Sequence, residues 1–175
     1  FFELTDDVNF ELGGTAMFGD ENIPINDSTG TGTLARPAKG QDRYGVHIYG
    51  ADATLIWNLP EERTFKFQNE VYIQERSASV FANSNPVGFY SLADFRFHPR
   101  WSAGVRFDYL EPLGVIGGHT PTAAISPYLT FWQSEFANFR VQYSHTDPAD
   151  PSEEADDAVF LQANVIIGSH KHPVQ

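Results

Sequence analysis

The sequence predicts an all-β protein, an antiparallel β-barrel whose strands cross a membrane, and three observations carry that expectation. Apolar residues alternate with polar or small ones in one segment after another, the period-2 mark of a strand with two unlike faces. The connections between those segments are alternately long and short. No helical periodicity is present, and no apolar run reaches the ~18 residues that a membrane helix needs.

The alternation predicts eight strands. The first sets Val8, Phe10, Leu12, Gly14, Ala16 and Phe18 against Asn9, Glu11, Gly13 and Thr15. The second places Tyr49, Ala51, Ala53, Leu55 and Trp57 on one face and Asp52, Thr54 and Asn58 on the other. The third pairs Phe65, Phe67, Val71 and Ile73 with Lys66, Gln68, Glu70 and Gln74. The fourth sets Val87, Phe89, Ala93, Phe95 and Phe97 against Tyr90, Asp94 and Arg96. The last four follow the same rule and are centred on Val105, Pro127, Val141 and Ala163. Most fall in the ~9–11 residue range that crosses a bilayer when tilted.

Alternation alone would suit a soluble sandwich equally well, so the connections discriminate. Leu59–Thr64, His98–Arg100 and Gln133–Phe136 are tight; Gly19–Arg43, Ser77–Pro86, Glu111–Thr122 and Thr146–Asp156 are long and polar. Membrane barrels have short periplasmic turns and longer external loops, whereas a soluble barrel has no reason to sort its loops by side. Tyr49 with Trp57, and Trp101 with Tyr109, stand near opposite ends of one outward face, as interfacial girdles require. The expected setting is a bacterial outer membrane, with both termini periplasmic.

Charge is sorted between the faces. The outward faces carry almost none, while the inward faces carry Glu11, Asp52, Glu70, Asp94 and Asp108 with Lys66, Arg76, Arg96, Arg106 and Arg140. Charges at membrane depth must meet a partner or water. Glu70 with Arg96, and Asp94 with Arg106, are the expected cross-strand pairs. Eight strands closed on themselves would bury these charges as a plug, whereas a barrel of ~16 strands would line a water channel with them. Phe1–Leu4 followed by Thr5-Asp6-Asp7 reads as the end of a preceding strand and a turn, which favours the larger barrel.

Composition removes other function classes. The 175 residues hold 11 Lys+Arg against 23 Asp+Glu, a net charge of -12, with no basic run to follow phosphates, so nucleic acid is not an expected partner. With 0 Cys there is no disulfide, thiolate metal site or cysteine nucleophile. Asp147, Asp150, Glu153 and Glu154, followed by Asp156 and Asp157, offer oxygens that suit Ca²⁺, although without EF-hand spacing. With His119 and His145 they also make a candidate Zn²⁺ set, to be weighed against a plain solvated acidic loop. His170 and His172 form either a weak metal-binding tail or a polar terminus. Ser144 and His145 are adjacent and must point to opposite faces of a strand, so they make no catalytic pair and no enzyme is expected. Lipid, small solutes or cations are the expected partners.

The stretches Gly50–Trp57, Ser126–Phe136, Val141–His145, Ala158–Gln162 and Gly168–Pro173 resemble the C-terminal half of a family of bacterial outer-membrane porin-like proteins. Members are often labelled TonB-dependent or zinc-regulated outer-membrane receptors. The resemblance covers about residues 44 to 173 and implies a larger barrel with an upstream segment, inserted by the barrel-assembly machinery. Residues 1–175 would then be one barrel domain, or the C-terminal part of one. Family members end in Phe just after His-Pro, whereas this chain reads Pro173-Val174-Gln175. The implied function is a channel or receptor for small solutes, metal-related in the zinc-labelled members. The alternative is a closed eight-stranded barrel with a structural, adhesive or envelope-anchoring role, working through the acidic loop and the Gly- and Thr-rich stretch Ser28–Thr33.

Overall fold

The computed structural model describes residues 2–21, 25–26, 32–33, 44–76, 85–112, 120–150 and 152–166. All regular structure there is strand: β1 (Phe2–Thr5), β2 (Val8–Glu21), β3 (Ile25–Asn26), β4 (Gly32–Thr33), β5 (Tyr44–Leu59) and β6 (Arg63–Arg76), then β7 (Val87–His98), β8 (Trp101–Leu110), β9 (Thr122–Ser134), β10 (Ala137–Pro148) and β11 (Asp156–Val165). The eight expected strands are β2 and β5 to β11; most run one to a few residues longer than the alternation predicts, while β11 both starts and ends earlier, at Asp156 and Val165 rather than Val159 and Ile167. The expected strand end and turn at the start are β1 and Asp6–Asp7.

One antiparallel sheet takes nine strands in the order β1-β2-β5-β6-β7-β8-β9-β10-β11, and β3 and β4 form a small ladder of their own. Each strand of the large sheet lies beside its nearest neighbours in sequence, a meander that needs only hairpin connections. The tight turns after β1, β5, β7 and β9 gather at one edge, the turn end, and the longer connections at the other, the loop end. Asn58 N–H donates to Asp7 O at 2.8 Å, Trp132 N–H to Arg100 O at 2.8 Å and Ile166 N–H to Phe136 O at 2.9 Å, tying neighbouring hairpins together along the turn end.

Among the described residues β1 and β11 do not pair, so the sheet is open. Closure of the eight strands on themselves, one of the two expected architectures, is not seen among the described residues. The β2–β5 and β5–β6 ladders each run through 14 pairs without a bulge, while register shifts lie beside the turns, at Arg96/His98 and Ala137/Asn138.

Opposed residues of an antiparallel ladder share a face, so the register sorts every side chain. One face gathers Trp57, Phe65, Phe95, Ala103, Leu129, Val141 and Leu161 in a single row across seven strands. The other gathers Thr64, Arg96, Ser102, Thr130, Arg140 and Gln162. Burial runs opposite to the habit of a water-soluble sheet. The four side chains buried within the described strands, Ser102, Ser126, Tyr128 and Thr130, all lie on the polar face. On the apolar face Leu161 is 83% exposed and Val159 68%.

The turn between β5 and β6 carries strain. Glu61 and Glu62 sit at φ 63° and 58°, the left-handed region that costs a residue with a Cβ about 1–2 kcal/mol. Arg63 steadies the turn, donating from Nε to Pro60 O at 3.0 Å and pairing with Glu61 at 3.3 Å. Glu62→Gly is expected to stabilise the protein by about 0.5–1 kcal/mol, the relief of strain exceeding the extra backbone entropy lost. Thermal unfolding checks this; a lowered midpoint would refute it.

Candidate functional site: the polar face of the sheet

All ten charged residues expected to point inward lie on the polar face: Glu11, Asp52, Lys66, Glu70, Arg76, Asp94, Arg96, Arg106, Asp108 and Arg140. They form transverse rows because successive ladders keep the same parity. Asp52, Glu70, Tyr90 and Asp108 stand side by side on β5 to β8. Two steps toward the turn end come Lys66, Asp94, Gly104 and Tyr128, with Gln68, Leu92, Arg106 and Ser126 in the row between.

The pairing within these rows differs from expectation. Glu70 is opposite Tyr90, and Arg96 is opposite Thr64, six residues along β6 and so about 20 Å from Glu70. Asp94 faces Lys66 and Gly104, while Arg106 faces Leu92 and Ser126. The carboxylate of Arg106 is Asp108, two residues along its own strand: Nε donates at 2.8 and 2.9 Å to the two oxygens, and the terminal nitrogen donates at 2.6 Å. Residues i and i+2 share a strand face at any register, so this bidentate pair needs no partner strand.

Guanidiniums and rings are layered across the face. Arg106 lies over Tyr90 at 4.1 Å, Arg140 over Tyr128 at 4.2 Å and Arg96 over Trp132 at 5.2 Å. Arg140 Nε also donates to Thr130 at 3.0 Å, and Gln68 donates to the Tyr90 hydroxyl at 2.8 Å. Ser126 and Ser144 share a 2.9 Å hydroxyl contact, and Tyr72 donates to Glu70 at 2.5 Å. Like charges directly opposite one another, as Asp52 and Glu70 are, repel. The Tyr72 hydroxyl gives the Glu70 carboxylate a donor that partly offsets this.

Glycines make room for these groups. Gly13 faces the Asp52 carboxylate, Gly50 the Tyr72 ring and Gly104 the Tyr128 ring, each so close that a Cβ would collide. Tyr90, Tyr128 and Trp132 were not among the expected site residues. A signal for Trp132 was present, since it keeps the parity of Tyr128 and Thr130.

Among the described residues the members of the candidate metal set do not gather into one group. His119 lies outside the described residues. His145 belongs to β10 rather than to a loop, on the apolar face at the loop end, with Nδ1 2.7 Å from Asp157. The same Asp157 oxygen accepts from Tyr143 at 2.6 Å. Asp147 is also in β10, opposite Ala123. Asp150 accepts from the Ser152 hydroxyl at 2.6 Å and backbone N–H at 2.8 Å, two donors that hold its carboxyl below the usual range. Glu153 and Glu154 are exposed. Among the described residues no three His, Asp or Glu side chains stand together to hold a metal ion. Ser144 points to the polar face and His145 to the apolar one.

Aromatic residues mark both ends of the apolar face. Phe18, His47 and Tyr49 meet edge to face at the loop end, with centroids 5.3 to 6.5 Å apart. Phe89 and Tyr109, at 5.4 Å, stand one pleat nearer the middle than Tyr49, and Trp101 and Phe131, at 4.9 Å, hold the turn end.

No family profile, curated protein sequence or solved structure matches this chain.

Proposed function

We propose that these strands are part of the wall of a β-barrel in a bacterial outer membrane, with the polar face toward a water-filled lumen that passes or takes up small solutes. The observation that carries this reading is the inverted burial: polar residues are sheltered while a continuous apolar face is exposed across the sheet. A soluble protein rarely exposes contiguous apolar surface beyond a few hundred Å². Lipid is the covering that fits a face eight strands wide with aromatic levels at both ends. Strand length agrees. The shortest of the eight, β8 and β11, have 10 residues, which tilted give a rise close to the ~25 Å apolar band of such barrels.

The open sheet favours a larger barrel. An edge of unpaired N–H and C=O groups is not tolerated in hydrocarbon, so in this reading the wall is closed by strands other than those described. A barrel of ~16 strands leaves the polar face wet. The Arg106–Asp108, Arg140–Thr130 and Ser126–Ser144 contacts support a second reading, a self-satisfied interior with a structural or anchoring role.

Single-channel conductance of the complete natural protein in a planar bilayer separates the two. Steady conductance is expected, with Arg106→Ala shifting the reversal potential in a salt gradient toward cation selectivity, because Asp108 loses its counter-charge. A folded protein that stays silent would favour the structural role.

A further inference from the structure

A recess on the polar face near the turn end is lined by Ile56, Thr64, Lys66, Asp94, Arg96, Ser102 and Trp132, and encloses a volume of ≈ 190 Å³. That is about six times the volume one water occupies in the liquid. Two of its lining side chains carry donors with no acceptor. Arg96 Nε and Trp132 Nε1 are both closed off and unpartnered among the described residues, although buried donors are nearly always paired. Arg96 is otherwise held, donating from a terminal nitrogen to Pro99 O at 2.5 Å and lying over the Trp132 ring. Thr64 and Ser102 place hydroxyls on either side of it.

From this geometry we infer that the recess is a binding site for a small organic monocarboxylate. Two cations, Lys66 and Arg96, face one acid, Asp94, so the recess carries a single net positive charge that one carboxylate neutralises. A dianion such as phosphate would meet Asp94 with surplus negative charge. The planar fork of a guanidinium matches a carboxylate. Binding requires a turn of the Arg96 and Trp132 side chains that brings their idle N–H groups to its oxygens. The Trp132 ring and Ile56 then receive the apolar body of the acid. The site deepens the lumen reading, since a solute reaches it only if the polar face is wet.

Calorimetric titration of the complete, folded protein in detergent with sodium benzoate tests the site without requiring conduction. Saturable binding is expected, weakened at least ten-fold in Arg96→Gln and in Lys66→Gln. It should be unchanged in Arg100→Gln, which removes an equal charge from the exposed turn. Benzoate that fails to saturate, or that binds a folded Lys66→Gln protein as tightly as the parent, would overturn the inference. Tighter binding of inorganic phosphate than of benzoate would also overturn it. Should Arg96→Gln fail to fold, Lys66→Gln decides. Saturable binding by a protein silent in bilayers would leave the site standing and remove the channel, while conduction without benzoate binding would do the reverse.

Discussion

Val105→Arg is expected to destabilise the folded protein in lipid vesicles by about 2–4 kcal/mol if the apolar face meets lipid as proposed, the cost of a cation near mid-membrane. Val105 sits in the middle of β8, 40% exposed, with Ala93 and Pro127 beside it on the apolar face. If that face met water, an exposed substitution would change stability by no more than about 0.5 kcal/mol. The two outcomes are well separated. Ala163→Arg supplies the depth control, because Ala163 stands opposite Phe139 close to the turn end, where the same charge costs about 0–1 kcal/mol. Equilibrium unfolding from vesicles by denaturant measures both. A gradient from centre to edge is the signature of a bilayer, and equal small effects at both positions would argue for a covering other than lipid.

Gly104→Ala is expected to cost about 2–3 kcal/mol, at the upper end of overpacking penalties. An added Cβ would fall 2.4 Å from the Tyr128 ring carbon and hydroxyl, and 2.6 Å from the backbone oxygen of Ala93. The ring can swing away, but the carbonyl belongs to a ladder strand and cannot. Displacing Tyr128 also removes the surface on which Arg140 lies. Gly14→Ala is the matched control: its nearest neighbour would be Gly50 O at 3.8 Å, ordinary contact distance, so a change below about 0.5 kcal/mol is expected. Equal effects of the two substitutions would show that the Gly104–Tyr128 contact does not hold the face together.

The same contrast bears on how the polar face is built. Its strength is spread over short contacts, each satisfied within one strand or between adjacent strands. The Arg106–Asp108 pair remains 41% and 36% exposed, which suits a charge meant to meet solvent more than one meant to fill a core. At Arg96 and Trp132 the satisfaction is incomplete, and there the face has chemical capacity left over.

Local patterning was enough to define the eight long strands, the strand end and turn ahead of them, the end of the sheet that carries tight turns, and the face to which each charge belongs. All of these are local or parity properties. Alternation with period 2 defines a strand and its two faces together, and parity survives any register shift of two residues. Which residues oppose one another emerged with the folded sheet. Register depends on turn length and on the bulges at Arg96/His98 and Ala137/Asn138, and a slip of one pleat leaves every face intact while exchanging every partner. That is why Arg106 was correctly assigned its face and wrongly assigned Asp94, and why the Gly104–Tyr128 and Arg96–Trp132 contacts were not legible in the chain. It is also why closure was undecided, since whether the first and last strands meet depends on curvature summed over the whole sheet, which no single strand encodes.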